Sequence, residues 1–124
     1  MIKAKHFLDE IEEDDGIRIW IEPVGLTRDL CEWCQVSFVL PHLGPPRGLR
    51  DWFEDHLDEY EEFRGRYHEM LEHSPYLPAL IELARDAGRR QHFTFLHQSD
   101  DPARNVAVAM EEFISELEAH CRPE

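Results

Sequence analysis

The feature that most constrains this chain is an alternation of short strand-type runs with longer segments of helical period. Ile17-Arg18-Ile19-Trp20-Ile21 is β-branched and aromatic except at Arg18. It stops at Glu22-Pro23, because proline has no N–H to give to a ladder. Runs of the same kind stand at residues 2–7, 35–40 and 92–96, the one at 35–40 being halted by Pro41. Strands that alternate with helices favour a layered α/β sheet over separate α and β blocks. The expectation is therefore one α/β domain over residues 1–124, with a small, mainly parallel or mixed four-stranded sheet flanked by helices. Strand order and direction are left open at this level.

The helical segments carry their own punctuation. Over residues 57–72, Tyr60, Phe63, Tyr67 and Met70 or Leu71 recur at three and four residues and form one apolar stripe. After Ser74-Pro75 the spacing of Leu77, Leu80, Ile81 and Ala84 marks a further helix ending near Gly88. Thr27 is placed to cap a short helix reaching Trp33, with Asp29 in its first turn. Helix resumes over residues 47–56 after the rigid Gly44-Pro45-Pro46 turn. Asp100 or Asp101 is placed to cap the last helix, with Pro102 at an early position.

Charge and cysteine usage limit the partners and the compartment. Against 13 Lys and Arg stand 27 Asp and Glu, a formal net charge of −14 over 124 residues. Such a field repels a phosphate backbone and an anionic membrane surface, so neither nucleic acid nor membrane is an expected partner. No run approaches the roughly 20 apolar residues that span a bilayer, and no apolar leader follows Met1. With three cysteines and no leader, a disulfide scaffold is not expected, and a reducing, cytoplasmic setting is. Oligomeric state is not indicated.

Four blocks, taken in order, resemble a known family. They are Asp15-Gly16-Ile17-Arg18-Ile19-Trp20-Ile21-Glu22; Trp33 leading into the strand that ends at Pro41; Leu49-Arg50-Asp51-Trp52-Phe53 followed by Glu61-Glu62-Phe63-Arg64-Gly65-Arg66-Tyr67-His68-Glu69-Met70-Leu71; and Thr94-Phe95-Leu96-His97-Gln98-Ser99-Asp100 followed by Asn105-Val106-Ala107. Together they are similar to the YeaO-like domains, domain of unknown function 488. The resemblance implies an α/β fold and no established reaction. It also shows departures. The family's strand continues as Asp-Arg-Leu-Trp-Pro-Arg-Gly, whereas this chain reads Glu22-Pro23-Val24-Gly25-Leu26-Thr27 and lacks the Trp-Pro-Arg motif. His42 follows Pro41 where the family tends to place Ser, and His97 stands where an aromatic is common, so the resemblance is that of a divergent member.

Ligands in open α/β sheets favour the crevice beyond the carboxyl ends of the strands. Three such ends offer Glu22, His42 and His97, with Asp100 and Asn105 just beyond. If parallel neighbours bring them together, a carboxylate with two imidazoles can bind a ligand, hold a divalent metal, or move protons near neutral pH. The plainer reading is that strand ends expose polar groups to water. Arg18 is a separate case. Alternation places it with Trp20 on one sheet face, where a guanidinium needs a carboxylate partner or an anionic ligand.

Other motifs carry less. Cys31-Glu32-Trp33-Cys34 is a C-x-x-C pair, but it falls near the C-terminal end of a short helix, where the dipole opposes thiolate formation. Two packed, inert thiols are the simpler reading. Residues 51–62 hold seven acids and no Lys or Arg, either a solvated helix face or a surface for a basic partner. The glycines form neither G-x-G-x-x-G nor a P-loop. No cofactor is specified and no residue is assigned as a metal ligand. The leading expectation is a small-ligand binding domain whose site uses Arg18, Glu22, His42, His97, Asp100 and Asn105. A noncatalytic protein-interaction module and a weak metal-dependent enzyme are the alternatives.

Overall fold

The computed structural model describes residues 1–22 and 27–121. Its centre is a four-stranded sheet in which every pairing is parallel, in the order β1-β4-β2-β3. The strands are β1 (Ile2–His6), β2 (Ile17–Trp20), β3 (Phe38–Val39) and β4 (Phe93–His97). Helix α1 (Arg28–Trp33) joins β2 to β3; α2 (Arg47–Asp55), α3 (Tyr60–Glu72) and α4 (Leu77–Arg89) lie between β3 and β4; α5 (Val106–Cys121) follows β4. The α/β sheet flanked by helices is as expected, and the choice between parallel and mixed resolves to all-parallel.

Register explains the two faces. Lys3, Thr94 and Arg18 are abreast, as are Lys5, Leu96 and Trp20, so all six share one face. Ala4, Phe95 and Ile19 share the other and pack against the buried sides of α3, α4 and α5. The stripe read from sequence is the core face of α3: Phe63, Tyr67 and Leu71 are wholly buried, and Phe63 stacks on Phe53 of α2 at 4.1 Å. A fully buried side chain of this size stabilises by about 1.5–3 kcal/mol.

The Lys3–Arg18 face is closed differently. A 3₁₀ turn, Glu13–Asp15, and the C-terminus of α1 cover it, and Trp20 meets Phe7 edge-to-face at 5.9 Å. Gly16 links the turn to β2 with φ +63°, and a Cβ there would stand 2.1 Å from the carbonyl oxygen of His92. Only glycine fits that approach. Thr27 caps α1 as expected, its Oγ1 accepting the N–H of Leu30.

Two expectations need correction. The strand expected at 35–40 pairs only over Phe38–Val39, because Gln35 adopts φ +51° and the chain joins the sheet edge late. The last helix is capped by Asn105, not by Asp100 or Asp101: its Oδ1 accepts the N–H of Val108. Asp101 is used instead in a tight turn, accepting the N–H of Ala103.

Candidate functional site

Chain direction fixes where a crevice opens. After β2 the chain goes to α1, whose last turn lies on the Arg18 face, since Arg18 Nε donates to the Cys34 carbonyl. After β4 it goes to α5, whose Ala107, Met110 and Ile114 lie on the Phe95 face. β2 and β4 are neighbours, so their carboxyl ends form a topological switch point, the usual position of a ligand crevice in such sheets.

A cleft of about 260 Å³ lies at that place. Glu22 enters from the end of β2, Gln98 and Ser99 from the end of β4, Asn105 and Val106 from the start of α5, and Arg50, Phe53, Glu54 and Leu57 from α2 and its end. Gln98 Nε2 donates to Glu22 Oε2 at 2.7 Å. Burial pushes the Glu22 carboxyl above its ordinary pKa; the Gln98 hydrogen bond and the Arg50 charge oppose this, and Glu54 adds to it. Arg50 Nε and Nη1 are buried and meet no acceptor among the described residues. Phe53 and Val106 supply an apolar wall.

The six residues expected from sequence divide among four places. Glu22 and Asn105 meet in this cleft. Both ends of the Asn105 amide are already used, Oδ1 by Val108 and Nδ2 by the Asp101 carbonyl. His97 and Asp100 line a neighbouring depression at the ends of β1 and β4, with His6 and Asp9; Ser99 borders both spaces. His42 is exposed in a wider groove beside Gly44–Pro46, its ring 4.5 Å from that of Tyr76. Arg18 is on the opposite sheet face.

The imidazoles are committed at one nitrogen each. His97 Nδ1 accepts the N–H of Ser99 and His6 Nδ1 that of Leu8, which leaves the ring proton on Nε2 in the neutral form. Burial lowers the pKa of His97, and the neighbouring His6 acts in the same direction.

Arg18 has found a carboxylate. Its Nη1 is 2.5 Å from Asp15 Oδ2, and both side chains are buried. Asp15 also accepts from Lys3, Lys5 and the N–H of Glu12. Carboxylate oxygens of Glu12, Asp14 and Asp15 lie within 4.8 Å of one another, a spacing a metal could use, but Lys3, Lys5 and Arg18 already neutralise them. In the C-x-x-C pair, Cys34 closes the C-terminus of α1 and is buried, and burial raises its thiol pKa above the usual range.

Arg50, Gln98 and Ser99 are site-lining residues that strand-end reasoning passed over. Arg50 had one signal: it lies three residues before Phe53, on the core side of an amphipathic helix, where a cation is out of place.

Fold and cleft together define an open, all-parallel α/β protein with its crevice at a β2/β4 switch point. The chain belongs to the family described as Domain of unknown function DUF488, whose pattern matches residues 3–114. It is similar to Uncharacterized protein Rv3073c of Mycobacterium tuberculosis (strain ATCC 25618 / H37Rv) and Uncharacterized protein Mb3100c of Mycobacterium bovis (strain ATCC BAA-935 / AF2122/97). Each is 29% identical over 94 residues, 71% of this chain and 72% of the relative. No solved structure matches. Among the described residues, no helix is long and apolar enough to cross a membrane.

Proposed function

We propose that this DUF488 protein binds a small molecule in the cleft between the carboxyl ends of β2 and β4. The observation behind this reading is the state of Arg50, whose Nε and Nη1 are buried in the lining it shares with Glu22 and meet no acceptor among the described residues. A buried donor left unsatisfied costs about 1–3 kcal/mol. An occupant supplying oxygen acceptors would remove that cost in the bound state. The three other expected residues that line neighbouring spaces, His42, His97 and Asp100, would then act at the margins of the site or not at all.

The test is a thermal-shift screen with amino and hydroxy acids, sugar phosphates, nucleotides and divalent cations. Binding confined to the native state, at about a hundred times Kd, adds about 2.7 kcal/mol and raises Tm by several degrees. Amide shifts in an NMR titration should then map to Gln98, Ser99 and Val106. No shift across the whole panel counts against the reading. So do shifts that map to the Lys3–Arg18 face. A specific protein partner captured without any small-molecule response would favour the interaction-module alternative.

A further inference from the structure

We infer that the occupant of this cleft is a small carboxylic acid that also carries an amino or hydroxyl group, its carboxylate on Arg50 and its donor on Glu22. The inference rests on the cleft being a ligand site, and it adds the chemical class.

Three observations select the class. Arg50 offers two buried donor atoms with no acceptor among the described residues, and a guanidinium is best satisfied by an oxygen anion. The start of α5 stands at the same wall, and the positive end of a sixteen-residue helix also favours negative charge. A doubly charged phosphate is poorly suited, because Glu22 and Glu54 line the same space. A single carboxylate keeps the anion and lowers the repulsion.

The second group follows from Glu22. Gln98 occupies Oε2, and Oε1 receives no donor among the described residues. A carboxylate so placed accepts from an ammonium or a hydroxyl. Size follows from the volume. At about 260 Å³ the cleft is below the roughly 300–1,000 Å³ of pockets that take drug-sized ligands, which suits a small metabolite of amino-acid size. Phe53 and Val106 give such a body an apolar wall for a short aliphatic part.

The experiment titrates the full chain with amino and 2-hydroxy acids from glycine to leucine in size, their carboxamides, inorganic phosphate and glycerol, following the amides of Gln98 and Ser99. At least one acid is expected to bind, with its carboxamide weaker by about tenfold or more. Arg50→Met should weaken the acid about ten- to hundredfold, as expected when a hydrogen bond to a charged group is lost. Arg50→Lys, which keeps the charge and loses the planar fork, should fall between. Arg50→Met should also keep its amide dispersion and match or exceed the wild type in Tm, because it removes a poorly solvated cation. That readout separates lost binding from lost fold. Equal binding of acid and carboxamide overturns the chemical class and leaves the ligand site standing. Binding of phosphate or glycerol alone does the same. Undiminished acid binding by folded Arg50→Met overturns the assignment of Arg50. If these probes and the wider screen all leave Gln98 and Ser99 unmoved, the class and the site fall together.

Discussion

Replacing Asp15 by Asn should be among the most damaging single-atom changes in this protein. Asp15 is 1% exposed and Arg18 2%, and they meet at 2.5 Å. Arg18 Nε is held by the Cys34 carbonyl, while its Nη2 is buried with no partner among the described residues, so Asp15 is the counter-ion that makes this burial tolerable. Removing one member of a buried pair and leaving the other charged costs about 3–5 kcal/mol. That is a large share of the 5–15 kcal/mol typical of a whole domain. The reverse change should be milder. Arg18→Met leaves Asp15 with Lys3, Lys5 and the Glu12 N–H, so it loses about 1.5–3 kcal/mol, the worth of a hydrogen bond to a charged group. The double variant should recover part of the Asp15→Asn loss, with a coupling energy above about 1 kcal/mol. Urea unfolding at neutral pH, read by linear extrapolation, measures all three. Arg18→Met costing as much as Asp15→Asn, or a strictly additive double variant, would falsify the reasoning.

Asp15 itself has a pH signature. Burial alone would raise the Asp15 pKa, but the Lys5 hydrogen bond, the Glu12 N–H and Lys3 outweigh it and hold the carboxyl below its ordinary value. A lowered folded pKa contributes stability that is fully present above the unfolded value, about 3.9, and is lost as pH falls through the folded one. The stability gap between wild type and Asp15→Asn should therefore narrow as pH drops below about 4.

Two further changes test the frame that positions the cleft. Gly16→Ala puts a side chain at positive φ and within 2.1 Å of the His92 carbonyl, so it should cost well over about 1 kcal/mol and lower Tm by more than about 4 °C; an unchanged Tm by calorimetry would contradict the tight approach. Tyr67→Phe removes a hydroxyl that donates to the Leu43 carbonyl at 2.5 Å inside the core, and the stranded acceptor should cost about 1–3 kcal/mol in urea unfolding. A neutral result would show that water replaces the bond.

What the sequence made legible, and what it hid, follows from range. Local signals were reliable: β-branched alternation located β2 and its faces, Thr27 capped α1, and the stripe of Phe63, Tyr67 and Leu71 is the core side of α3. Signals that depend on competition were not. Asp100, Asp101 and Asn105 are all good caps, and the choice fell to Asn105 because the intervening residues fold into turns of their own. The strand at 35–40 has the right composition, yet its first residues turn away and only the part from Ser37 to Leu40 hydrogen-bonds to β2. The candidate site was the least legible. Strand-end logic found Glu22 and Asn105, but strand order decides which ends adjoin. With β4 between β1 and β2, His97 lines the depression on the β1 side and not the cleft. Arg50 reaches the cleft from a helix remote in sequence, a juxtaposition no local pattern encodes.

Glu22 offers the clearest means of separating what the cleft does for the fold from what it does besides. Its carboxyl is raised chiefly by burial, and although Gln98 and Arg50 pull the other way, the net direction is upward. A raised folded pKa means that the unfolded chain ionises first. Any stability linked to Glu22 is fully present below the unfolded pKa, about 4.3, and is lost as pH rises through the folded value. Above that interval the ionised carboxylate is a group that the fold tolerates at a loss. Glu22→Gln has no such titration and can still accept from Gln98 through its side-chain carbonyl. The variant should match the wild type near pH 4 and be the more stable of the two at pH 7, with the difference opening across the interval between the two pKa values. Chemical denaturation at several pH values is the measurement. A variant that is less stable at pH 7, or offset by the same amount at every pH, would mean that the charge itself supports the fold. If the difference opens as expected, this carboxylate is maintained against the stability of the domain, and a residue that breaks a local rule without a structural return points to a function of the site.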